Sequence, residues 1–109
     1  MTSSSREPAT RSLHTIPIDD VAEAFVEMLN NTGVEYMFLN SGTDTFPILE
    51  AFARMAEQER RVPKIVVCID ESTAMFAAHG FYQLTGRTQA VLVHVDAGTA
   101  QIGGAYHDA

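Results

Sequence analysis

Three short runs of apolar residues, Val34–Leu39, Lys64–Ile69 and Gln89–Val95, constrain the fold of this chain more than any other feature. The second of them stays apolar at successive positions rather than alternating, as a strand does when both its faces are covered. The segments between the runs carry a helical period. Asp20-Val21-Ala22-Glu23 resembles a capping box, in which two side chains satisfy the free amides of a helix start. Val21, Phe25, Met28 and Leu29 then recur on one helical face, and Gly33 follows as a left-handed stop. Asn40-Ser41-Gly42-Thr43-Asp44 is turn material. A second helix is expected from about Thr45, with Pro47 in its first turn and Ile48, Leu49, Phe52 and Met55 on one face. A polar loop, Arg60 to Pro63, leads to the second run. A third helix is expected over Ser72–Leu84, closed by Thr85-Gly86. Asp96 to Ala100 reads as a loop, and a fourth helix as starting near Ala100 and cut off by the chain end. Strands alternating with helices predict a parallel sheet, and right-handed crossovers make it an α/β, doubly wound unit with helices on both faces.

Length and charge narrow the function classes. At 109 residues the chain holds one domain. Residues 1–15, rich in Ser, Thr and Arg, read as a disordered N-terminal tail, and 16–109 as the domain, incomplete at its C-terminus. With 7 basic against 14 acidic residues the net charge is −7, which disfavours nucleic acid and anionic membranes. No apolar run reaches the ~20 residues of a membrane span. One cysteine excludes an internal disulfide, and no zinc motif surrounds it. Cytoplasmic residence is the simplest reading.

Ligands of a parallel α/β sheet bind beyond the carboxyl ends of its strands. That rule selects Ser41-Gly42-Thr43, Asp70-Glu71 and His94 through Gln101, and so brings Gly42, Thr43, Glu71 and His94 to one edge. The helix after Glu71 is lined by Ala74, Ala77, Ala78 and Gly80, small enough for close packing. A carboxylate beside such packing is poorly solvated, which raises its pKa and suits it to proton transfer near neutral pH. The plainer reading is that Asp70 and Glu71 only complement the dipole of a helix start. Cys68 and the Met and Phe positions read as core, and His79 as a packing or surface residue. His107 carries no assignment. Gly98-Thr99 is a second, weaker possibility for an anion at a helix start.

Asp70-Glu71-Ser72-Thr73-Ala74-Met75-Phe76-Ala77-Ala78-His79-Gly80-Phe81-Tyr82-Gln83-Leu84-Thr85-Gly86-Arg87 resembles the signature of thiamine diphosphate enzymes. It is similar to the N-terminal, pyrimidine-binding domain of acetolactate synthase and benzoylformate decarboxylase relatives, where a His-Glu pair opens a small-residue helix. Gly33 to Phe38, Ser41-Gly42 and Gly98-Thr99-Ala100-Gln101 stand in the family's order and spacing, so the likeness spans Ile18 to Ala109. It implies that Glu71 hydrogen-bonds N1′ of the cofactor's aminopyrimidine, favouring the tautomer whose 4′-nitrogen takes the thiazolium proton. It also implies that Gly42, Thr43, Gly98 and Gln101 border the cofactor and that His94 and Thr43 face a 2-oxo acid. Asp70 stands in place of the usual His, Ser41 of Pro and Gln101 of Asn. By the same likeness Mg²⁺ and the diphosphate are held by a later domain absent from this chain, and the site lies between subunits of a homo-oligomer. The expected function is therefore the pyrimidine-binding part of an enzyme of decarboxylation or carboligation, inactive as the isolated chain. A non-catalytic α/β module that binds a partner or small anion is the alternative.

Overall fold

The computed structural model describes residues 15–109, so all but Thr15 of the expected tail lies outside the described residues. Helix α1 (Val21–Asn31) starts on Asp20, whose carboxylate accepts the Glu23 N–H at 2.8 Å. The reciprocal half of the expected box is displaced by one residue, because Glu23 takes the Asp19 N–H at 2.7 Å. Gly33 then turns the chain at φ +82°. Strand β1 (Tyr36–Asn40) leads into a 3₁₀ turn, Thr43–Thr45, and α2 (Phe46–Glu57), with Pro47 in its first turn, where no N–H is needed. Strand β2 (Lys64–Val67), helix α3 (Glu71–Thr85) and strand β3 (Ala90–Val93) complete the repeating pattern. Asp70 caps α3 through the Thr73 N–H, and Gly86 ends it at φ +71°.

The sheet is parallel throughout, in the order β2-β1-β3. Alternation along β1 divides the core. Met37 and Leu39 face α1 and α2, where they meet Val26, Leu29, Ala51, Phe52 and Met55. Phe38 points the other way, onto Ala74 and Ala78 of α3, whose small side chains allow the close approach. Cys68 packs partly buried beside this second cluster. Helices thus lie on both faces, and the doubly wound α/β expectation stands.

Three details depart from the sequence reading. Only β1 is well covered on both faces. At edge strand β2, Val66 and the following Cys68 pack toward α3, but Val67, in register with Leu39 and so on the α1 and α2 side, is 76% exposed. Strand β3 is shorter than Gln89–Val95 because Gln89 serves a different purpose: its side-chain oxygen accepts the N–H groups of Glu35 and Tyr36 at 2.9 and 2.8 Å. The Asp96–Ala100 segment is not a loop. Asp96 takes φ +52°, and α4 (Ala97–Gln101) begins at once, followed by α5 (Gly103–Asp108). A residue without Cβ at position 98 lets that first turn settle on the end of β3. Among the described residues no helix is long and apolar enough to cross a membrane.

Candidate active site

The register fixes where the polar residues converge. Leu39 pairs with Val67 on one side and Leu92 on the other, and Asn40 with Val93. All three strands therefore end level, and the segments holding Gly42, Glu71 and His94 leave at the same edge. The Asn40 side chain ties the edge together by donating to the Ile69 carbonyl at 3.4 Å.

Two groups form there, one on each side of the end of β3. In the first, Glu71 opens α3 and its half-buried side chain lies against Gly98 of α4. A Cβ on Gly98 would stand 3.3 Å from Val93 Cβ and 3.4 Å from both Cγ and Oε1 of Glu71. Gly98 is buried, and the space a side chain would occupy belongs to Glu71. Among the described residues no hydrogen-bond donor and no cation engages the Glu71 carboxylate. The Ser72 hydroxyl donates to the Gln101 carbonyl at 2.6 Å, pinning α4 to the start of α3. Gln101 contributes this backbone oxygen, while its own residue is exposed.

In the second group the His94 imidazole lies on Gly42, where any Cβ would overlap the ring. Its Nδ1 is bonded to Oδ1 of Asp44, and the Val95 N–H donates to Oδ2 of the same carboxylate at 3.1 Å. The hydrogen bond with His94 holds the Asp44 carboxyl below its usual range; burial opposes it, and the Val95 N–H and the His94 charge add to it. Thr43, exposed, begins the turn, which is closed by the buried Thr45 hydroxyl donating to the Gly42 carbonyl at 2.7 Å. Asp44 is not among the site residues that the sequence singles out. Its only signal was its place in the turn that follows β1, the same edge that singled out Thr43.

The structure thus brings Glu71 to Gly98 and His94 to Gly42, with Thr43 next in the chain and Gln101 contributing its backbone. His79 belongs elsewhere. With Met75, Tyr82, Gln89 and Val91 it lines an open cavity of about 440 Å³ between α3 and β3. Among the described residues no cluster of three or more His, Cys, Asp or Glu side chains converges as a cation site. The rim around the two groups is oily, with Ile69 90% exposed and Phe46 and Val95 also open to solvent.

Residues 19–109 match the family model described as thiamine pyrophosphate enzyme, N-terminal TPP binding domain. Comparison with curated proteins gave no significant match.

Proposed function

The chain belongs to the thiamine pyrophosphate enzyme family, as its N-terminal TPP-binding domain, and on that premise we propose that Glu71 is the carboxylate that bonds N1′ of the cofactor's aminopyrimidine ring. The observation that carries this is the half-buried Glu71 carboxylate lying on a glycine with no donor of its own among the described residues. A partly desolvated carboxylate left unpaired is unfavourable, and a ring nitrogen bearing a proton supplies the missing partner. The residues present therefore fit the cofactor's pyrimidine half. Gly98 keeps the approach clear, and the bond from Ser72 to Gln101 fixes the α4 backbone around it.

When bound, thiamine diphosphate supplies a thiazolium electron sink for bond breaking or making beside a 2-oxo acid carbonyl. The work of this chain is proton placement. Glu71 holds or shares a proton at N1′, as a half-buried carboxylate without another partner among the described residues is placed to do. His94 is a second proton-transfer group, on the other side of Val93, and the Thr43 hydroxyl beside it is available to substrate. Decarboxylation or carboligation of a 2-oxo acid, as in the acetolactate synthase and benzoylformate decarboxylase relatives, is the reaction class proposed. Mg²⁺ and the diphosphate are assigned to a further domain, and the exposed Val67, Ile69, Phe46 and Val95 to burial against a second subunit.

The test uses this chain uniformly labelled with ¹⁵N. Millimolar thiamine diphosphate should shift the amides of Glu71 to Ala74 and of Gly98 saturably and weakly, and Glu71→Ala should abolish the shifts. Shifts centred on the cavity under His79, or shifts that survive Glu71→Ala, overturn the assignment.

A further inference from the structure

Among the described residues, Asp44 is the one carboxylate at the site edge held at both oxygens by groups from the third strand's end: Oδ1 by His94 Nδ1 and Oδ2 by the Val95 N–H. It reaches them from the turn after β1, 50 positions earlier in the chain. An ionised carboxylate only accepts hydrogen bonds, so the Nδ1 facing it must carry the proton. In the neutral ring the lone pair then belongs to Nε2. Gly42 completes the arrangement, because the imidazole occupies the space in which any other residue there would carry its Cβ.

We propose that Asp44 is a positioning residue, one that fixes the tautomer and orientation of His94 so that Nε2 is the proton acceptor presented to substrate. This rests on the reading of the strand edge as the reaction site, yet its primary test needs no cofactor. Asp44→Asn keeps the shape but changes the polarity. The Asn carbonyl must take the Val95 N–H, leaving its NH₂ against Nδ1, which forces the proton onto Nε2; such a switch disables a base of this kind while preserving the geometry.

The experiment is ¹⁵N spectroscopy of the histidine rings of the intact chain at mildly alkaline pH, with His94 assigned by its loss in His94→Ala. The wild-type ring should show a protonated Nδ1 and a pyridine-like Nε2, and Asp44→Asn should reverse them. A wild-type His94 protonated at Nε2, which is read without any variant, overturns the proposal, as does an unchanged tautomer in folded Asp44→Asn. In the enzyme carrying this segment and loaded with cofactor, Asp44→Asn should lower kcat by about 10²–10⁴-fold with KM little changed. An unaltered kcat there also overturns it. Failure of thiamine diphosphate to shift Glu71 in the chain, with the tautomers as expected, would count against the cofactor assignment and leave the Asp44–His94 pairing standing.

Discussion

Gly98→Ala separates the stability of the fold from the geometry of the site. The new Cβ would lie 3.3 Å from Val93 Cβ and 3.4 Å from Glu71 Cγ and Oε1, against an optimum of about 3.5–4.0 Å between carbon atoms. Something must yield by a few tenths of an ångström. Val93 sits in a strand paired to β1 through Asn40, so its Cβ moves only with the backbone. Glu71 is a flexible side chain and gives way first. Alanine in a helix is favoured over glycine by about 1 kcal/mol, and mild overpacking costs about as much at the low end of its range. The net stability change is then within about 1 kcal/mol of zero, or a shift in Tm of no more than about 4–8 °C. Recognition changes far more. A hydrogen bond to a charged group contributes about 1.5–3 kcal/mol, so its loss weakens binding by roughly ten- to a hundredfold. A thermal melt and the ¹⁵N titration with thiamine diphosphate report the two quantities separately. A near-native melt with no saturable shift of the Glu71 amide is the expected result. A variant that melts normally and binds as the wild type would refute the claim that the space over Gly98 positions Glu71.

Removing the imidazole with His94→Ala should raise the Asp44 pKa toward the ordinary carboxylate value of 3.8, read from the carboxyl ¹³C shift. The sign follows from linkage. A lowered folded pKa means that Asp44 contributes stability above its unfolded value and loses it as pH falls through the folded one, so stability lost in that acid window should shrink in His94→Ala. An unchanged Asp44 titration would mean that the pair is not formed in solution. Met55, fully buried between α1, α2 and β1, should cost about 2–5 kcal/mol on truncation to Ala, measured by denaturant unfolding. A loss under about 1 kcal/mol would show that the first core is loosely packed.

The parts legible in the sequence were those with local causes. Asp20, Pro47, Gly33 and Gly86 each mark an element boundary through their own backbone or capping chemistry, and each stands where it was expected, while α3, capped by Asp70, starts at Glu71, one residue before the expected Ser72. The convergence of Glu71, Gly42 and His94 on one edge followed from topology alone. What escaped were pairings set by the tertiary fold. Asp44 read as one more turn residue, since nothing nearby in sequence announces a partner 50 positions away. Gln89 read as the start of a strand, although its side chain is spent on the backbone of β1. Glu23 read as part of a cap, yet it is buried and paired with Arg60 from the loop before β2. The early start of α4 was hidden because Asp96-Ala97-Gly98-Thr99 has turn composition, and only the contact of Gly98 with Val93 and Glu71 shows why a helix forms there.

The central claim is that the Glu71 carboxylate acts on the aminopyrimidine ring. It is tested most directly by the rate at which the thiazolium C2 proton exchanges for deuterium in the loaded enzyme carrying this segment, wild type against Glu71→Gln. The glutamine keeps size and packing but cannot hold and release the proton at N1′. Exchange should slow by about 10²–10⁴-fold while the cofactor remains bound. Exchange as fast as in the wild type would leave Glu71 as a carboxylate that merely complements the start of α3, and would contradict the mechanism.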